Sequence, residues 1–172
     1  LSLLQRLRHA GLPLPACAVA MSPLTDGTFS GPSIKRNDGL DPMFTAAGFH
    51  RLAPLYLADE AQRAQPLASP LFGELSGMPP ILLTVGSSEL LLDDSLRFAS
   101  RCPGTELQVW HDMPHVFPLF EFFPEAVRAR ADMARFIEAS LANAIAPDVQ
   151  STIPNQQAEG EAYGAEIQRA DR

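Results

Sequence analysis

Residues 81–115 read Ile81-Leu-Leu-Thr-Val85-Gly-Ser-Ser-Glu89-Leu-Leu-Leu-Asp-Asp-Ser95-Leu-Arg-Phe-Ala-Ser100-Arg-Cys-Pro-Gly-Thr105-Glu-Leu-Gln-Val-Trp110-His-Asp-Met-Pro-His115. The apolar run Ile81–Val85, without alternation and preceded by Pro79-Pro80, predicts a strand buried on both faces. Gly86-Ser-Ser88 turns the chain. From Glu89 to about Arg101 the apolar positions Leu91, Leu92, Leu96 and Phe98 follow helical spacing, and Cys102-Pro103-Gly104 ends that helix. Leu107–Trp110 predicts the next strand, and His111–His115 the loop after it. Strand, helix, strand within thirty-odd residues is the pattern of a parallel pair joined by a crossover helix.

Upstream, Cys17–Met21 is another short apolar run, bounded by Pro15 and Ser22-Pro23, and predicts a further strand buried on both faces. Leu1, Leu4, Leu7 and Arg8 sit at helical spacing, with Gly11 as the left-handed stop. That helix opens on its first residue with nothing before it to cap it, so the chain reads as a piece of something longer. Thr25 to about Leu40 predicts irregular surface chain. Asp41-Pro42 predicts a helix start running to about Gly48, and Ala53–Leu57 a second short helix. Pro66, Pro70, Gly73, Gly77, Pro79 and Pro80 punctuate a loop. Downstream, Pro124–Ala144 predicts a long helix with Val127, Ala131, Ala134, Ile137 and Leu141 on one face. Strands alternating with helices predict an α/β fold, a parallel sheet flanked by helices, over residues 1–146. Residues 147–172, rich in Gln, Glu, Gly, Asn and Ser, predict a disordered tail that cannot bury enough apolar surface to offset its ordering entropy.

Composition narrows the function. The 172 residues carry 13 Lys+Arg against 20 Asp+Glu, a net charge of −7, which leaves no broad basic face for nucleic acid. Cys17 and Cys102 stand far apart, which excludes a disulfide framework and a cysteine zinc site. The longest charge-free stretch, between Arg8 and Asp26, is broken by Pro13, Pro15 and Pro23, so no membrane span is expected. Leu1–Ala10 carries Arg6 and Arg8 inside an amphipathic pattern with no separate apolar core after them, so it does not read as a signal peptide, and the expectation is a soluble cytoplasmic protein.

Functional groups in open parallel sheets collect beyond the carboxyl ends of the strands. Glu89 follows one such end and His115 the next. A carboxylate that orients an imidazole is the support half of a nucleophile–histidine–acid triad, and acid before histidine is the chain order of α/β-hydrolases. Two plainer readings stand beside this one. Glu89, with Asp93 and Asp94, suits the first turn of a helix through the macrodipole, and His115 suits a structural hydrogen bond in a loop. His111 and His115 have the spacing of metal ligands, but Met113-Pro114 breaks any helix that would align them. Phe117, Phe120, Phe122 and Phe123 fit a pocket wall or core packing, and Asp26 and Asp41 fit turns and caps. No G-x-S-x-G pentapeptide occurs. Gly27-Thr-Phe-Ser-Gly31 has its serine one place late, and Gly86-Ser-Ser-Glu89 lacks the second glycine. A phosphate loop and a dinucleotide fingerprint are absent as well.

The stretches Ala10-Gly-Leu-Pro-Leu-Pro-Ala16, Ser22-Pro-Leu-Thr-Asp26, Pro66-Leu-Ala-Ser-Pro-Leu-Phe-Gly73, Val85-Gly-Ser-Ser-Glu-Leu-Leu-Leu-Asp-Asp-Ser95 and Met113-Pro-His-Val-Phe117 resemble the hormone-sensitive-lipase-like esterases, bacterial α/β-hydrolases of the fold-3 group. The resemblance covers about residues 1 to 145 and corresponds to the C-terminal half of that family's catalytic domain. It implies hydrolysis of small carboxylic esters by a serine–acid–histidine triad without a cofactor, with Glu89 at the acid position and His115 at the histidine position. It also implies that the nucleophile elbow, the glycine-rich oxyanion segment and the cap would lie before Leu1, so that the chain alone is inactive. Leu24, Gln65 and Pro118 depart from the residues usual in the family. The resemblance implies one partner, a second copy joined through the C-terminal edge of the sheet, and a split enzyme would add a complementing N-terminal half. Three arrangements remain open at this point: a fragment of an esterase, one half of a split esterase, and a non-catalytic binding or assembly module.

Overall fold

The computed structural model describes residues 1–57 and 59–145. The expected tail at 147–172 lies outside the described residues. Helix α1, Ser2–His9, is followed by Gly11 in the left-handed conformation (φ +65°), where a side chain would be strained. Strand β1 covers Ala18–Met21. A one-turn helix α2 covers Ser33–Arg36, then α3 covers Ala46–Tyr56 and α4 Glu60–Arg63. Strand β2 runs Ile81–Gly86, helix α5 Leu92–Arg101, strand β3 Thr105–Trp110 and helix α6 Pro124–Ile145. Residues Leu1–Leu141 make up one compact unit.

The three strands form a parallel sheet in the order β1-β2-β3, with Ala18 opposite Ile81 and Ile81 opposite Thr105. The unbroken apolar run of β2 is explained by its place between two neighbours, and every residue of it is buried. Alternation then sorts the side chains by face. Ile81 and Leu83 of β2, with Ala18 and Ala20 of β1 and Leu107 of β3, pack on one side against Leu4 of α1, Phe98 of α5, Cys102 just after it, and Leu71 and Leu75. On β3, Trp110 packs with Phe117, Ala126 and Ala129, the last two from α6.

Several sequence expectations need correction. β1 is half-buried along its length rather than buried on both faces, because it pairs with β2 alone among the described residues. The two helices expected at 41–48 and 53–57 are one helix, α3. Thr45 caps it by accepting from the Gly48 amide, and Pro54 is tolerated near its C-terminal end. Asp41 instead holds a separate turn, accepting from the amides of Met43 (2.8 Å) and Phe44 (3.1 Å). Helix α5 begins at Leu92, three residues after Glu89. The segment 25–40 is not simply surface chain, since Thr25, Asp26, Ser33 and Asn37 are buried. Phe117 is fully buried while Phe122 is exposed, so the phenylalanine cluster is split between core and surface. No helix of the described residues is long and apolar enough to cross a membrane.

Candidate active site

The site is assembled where β2 and β3 end. Gly86 is the last residue of β2, and a Cβ placed on it would sit 1.8 Å from the carbonyl oxygen of Met113. Only glycine lets the loop after β3 lie this close to the end of β2. Two further bonds close the seam. The Ser87 amide donates to the Trp110 carbonyl (2.8 Å), and the Asp112 amide donates to Ser87 Oγ (2.9 Å). The loop that carries His115 is thereby fixed against the turn that carries Glu89.

Glu89 is completely buried, and a buried carboxylate needs donors on both oxygens. Its Oε1 accepts from the Gly86 amide (2.6 Å) and from Ser22 Oγ (2.7 Å), and its Oε2 lies 3.0 Å from His115 Nδ1. A carboxylate can only accept, so Nδ1–H is the donor of this contact, which fixes the tautomer of the neutral ring as the one with its lone pair on Nε2. The His115 side chain is 16% exposed. The ring of Phe44 meets it edge-on at 4.9 Å between centroids, and Phe44 in turn stacks on Phe49.

The turn around Glu89 is held from the segment 33–41. Asn37 Nδ2 donates to the carbonyls of Ser87 (3.0 Å) and Glu89 (2.7 Å). Ser33 Oγ donates to the Leu90 carbonyl (2.6 Å), and the Leu90 amide donates to Asp41 Oδ2 (3.0 Å). Asp41 is thus both a turn cap and a clamp on the residue next to Glu89.

A second group of carboxylates, Asp26, Asp93 and Asp94, lies where the segment after β1 meets the start of α5. Asp94 Oδ2 accepts from the amides of Thr25 (2.7 Å) and Asp26 (2.8 Å) and from Thr25 Oγ1 (3.3 Å), while Oδ1 is buried without a partner. Burial, with the nearby Asp26 carboxylate adding to it, pushes the Asp94 carboxyl up to about 6 despite the Thr25 and Asp26 amides. For Asp26, burial favours the neutral form, but the hydroxyls of Ser30 and Thr28 and the Arg97 guanidinium outweigh it and hold the carboxyl below its ordinary value. Asp93 accepts from the Ser33 amide (2.6 Å) and pairs with Arg36 (3.3 Å). Asp93 and Asp94 lie in the first turn of α5, where the helix dipole suits them, whereas Glu89 precedes the helix and points back to the strand end.

The structure therefore brings Glu89 and His115 together and keeps His111 apart, since His111 is exposed and pairs with its neighbour Asp112 (3.0 Å). Among the described residues no group of three or more His, Cys, Asp or Glu side chains is placed to hold a metal ion. Sequence reasoning missed Ser22, which reads only as the end of a strand before Pro23, and Asn37 and Phe44, which lie in a stretch without motif. The signal for Gly86 was its place at the end of an apolar run, but the close approach of Met113 has no sequence signature.

Comparison with known proteins identifies the family. A family model described as the alpha/beta hydrolase fold matches residues 1–119. An esterase of Acinetobacter venetianus is 36% identical over 141 residues, which is 79% of this chain and 46% of that protein. An acetyl-hydrolase of Streptomyces hygroscopicus is 41% identical over 131 residues, 73% of this chain and 44% of that one. A solved esterase of the bacterial hormone-sensitive lipase family superposes with a TM-score of 0.77 at 38% identity, covering 81% of this chain and 48% of its own. The chain spans about half the length of the relatives it matches. On these matches the chain belongs to the esterase- and lipase-like α/β-hydrolase family.

Proposed function

We propose that residues 1–146 are the C-terminal half of the catalytic domain of a serine-dependent carboxylic ester hydrolase, with Glu89 and His115 as two of its three triad members. The nucleophilic serine, the oxyanion donors and the substrate cap are supplied by polypeptide outside residues 1–172. The observation that carries this reading is the 3.0 Å approach of His115 Nδ1 to the buried Glu89 carboxylate, beyond adjacent parallel strands in a chain whose relatives are esterases. The length of those relatives and the lack of a G-x-S-x-G elbow in this chain support the placing of the nucleophile elsewhere.

In this reading His115 Nε2 takes the proton of the serine hydroxyl as the oxygen attacks the ester carbonyl. The imidazolium then returns that proton to the leaving alcohol, and a water molecule repeats the cycle to release the acid. Glu89 holds the ring in the tautomer that leaves Nε2 basic and stabilises the imidazolium. The chemistry calls for no metal or organic cofactor, and the substrate is a small carboxylic ester. The edge of β1 that has no strand neighbour among the described residues is where the preceding strands of the domain would pair. A second copy joined at the other edge of the sheet completes the proposal as to partners, and the proposed location is the cytoplasm.

The test uses the protein expressed from its full coding sequence, assayed with p-nitrophenyl butyrate. Glu89→Ala and His115→Ala are each expected to lower kcat by on the order of 10³ or more. Near-normal turnover in either variant overturns the assignment.

A further inference from the structure

We infer that Ser22 is a positioning residue for the acid–histidine pair, a role that rests on the esterase reading above. Ser22 is buried, at the end of β1, and its hydroxyl has two partners, both in the site. It donates to Glu89 Oε1 (2.7 Å) and accepts from the amide of Val116 (2.9 Å), the residue directly after His115. One oxygen thus ties the acid to the histidine loop through Glu89 Oε1, while His115 itself meets Oε2. Because that lone proton is given to a buried carboxylate, the hydroxyl is not free to act as the nucleophile.

The backbone at both ends of this bridge is held in an unfavourable shape. Ser22 and Val116 each have φ +48°, in the left-handed region. For Val116, a β-branched residue, that conformation is a clear outlier, and such residues persist only where the surroundings fix them. The Val116 amide is aimed at Ser22 Oγ in this conformation, so the bond and the strained backbone support each other. His115, between Pro114 and Val116, takes its direction from the same fixed segment. Glu89 loses one of its three donors when the hydroxyl is removed, and the loop that carries His115 loses its tie to β1.

The experiment measures kcat and KM on p-nitrophenyl butyrate for Ser22→Gly and Ser22→Ala in the protein expressed from its full coding sequence. Glycine adopts the left-handed conformation without strain, so Ser22→Gly removes the hydroxyl while easing the backbone. Ser30→Ala, which removes a hydroxyl donated to the Asp26 carboxylate, is the control. Both Ser22 variants are expected to lose roughly 10- to 100-fold in kcat with KM nearly unchanged, and Ser30→Ala to keep its turnover. In a Glu89→Gln background the same Ser22 changes are expected to cost little more, since the residue acts through Glu89. A Ser22→Gly enzyme with kcat close to the parent overturns the proposal, as does a loss that is undiminished in the Glu89→Gln background. If the parent hydrolyses no ester, the esterase reading fails by itself. Positioning is then read from the Nδ1 proton of His115 by NMR. A resonance present in the parent and lost in Ser22→Gly supports the bridge, and one that persists in both overturns it.

Discussion

Two buried carboxylates stand five residues apart in the chain, Glu89 before α5 and Asp94 in its first turn, and they do different things. Glu89 and Asp94 are both completely buried, and both accept from backbone amides. Around Asp94, the Thr25 and Asp26 amides and the Thr25 hydroxyl all converge on one oxygen, and the other oxygen faces no partner. That arrangement fastens the segment after β1 to the start of α5 and reaches no surface. Around Glu89, Gly86 and Ser22 occupy one oxygen, and the other is turned to an imidazole whose ring is partly open to solvent. Burial of an acid is common to both. What separates a fastening from a candidate catalytic group is where the second oxygen points.

The sharpest way to break this comparison is to remove each carboxylate in turn. Beside the on-the-order-of-10³ loss expected for Glu89→Ala, Asp94→Asn is expected to keep turnover at neutral pH within roughly tenfold of the parent, because its partners lie away from His115. A loss of Glu89-like size on Asp94→Asn would erase the distinction.

Next in size is the seam that joins the two loops. Gly86→Ala places a methyl 1.8 Å from a backbone oxygen that has no flexible side chain to yield. The expected destabilisation is about 3 kcal/mol or more, read from urea unfolding. An alanine variant as stable as the parent would mean that the Met113 carbonyl does not lie against the end of β2.

The fastening has its own signature in pH. Burial pushes the Asp94 carboxyl up to about 6 from its ordinary value of 3.8. An acid with a raised folded value binds its proton more tightly when folded. Its favourable contribution is therefore complete below the unfolded value and is lost as pH rises through about 6. The stability of the parent relative to Asp94→Asn is expected to fall by on the order of 2–3 kcal/mol between pH 4 and pH 7. Asp26, held below its ordinary value, has the opposite sense and adds stability that is lost only in acid. A pH-independent difference between parent and Asp94→Asn would contradict the burial of a charged Asp94.

The parts of the molecule legible in sequence were those fixed by short-range pattern. β2 and α5 followed from apolar periodicity and from proline and glycine at their ends. α6 is a helix as expected, but Val127, Ala131, Ala134, Ile137 and Leu141, which marked its expected apolar face, are exposed, and Ala126, Ala129 and Met133 are buried instead. Glu89 and His115 were reachable because strand ends are marked by the same pattern, and because their order matched a known arrangement. What stayed hidden depended on contacts between distant segments. The buried character of 25–40 comes from Asp26, Ser33 and Asn37 meeting α5 and the Glu89 turn, across 50 residues or more in the case of Asn37. The half-exposed state of β1 comes from its single neighbour, which an apolar run does not reveal. The split of α3 into two expected helices came from weighing Asp41-Pro42 as a start, where Thr45 in fact makes the cap.

The most direct test of the Glu89–His115 assignment is covalent labelling with diethyl p-nitrophenyl phosphate, which captures a serine activated by a neighbouring base. The protein is expressed from its full coding sequence, labelled, and mapped by peptide mass. The expected result is a single phosphorylated serine outside residues 1–172, with the labelling rate abolished in His115→Ala and strongly reduced in Glu89→Ala. A label on a serine within residues 1–172, no label at all, or a rate indifferent to His115 would contradict it.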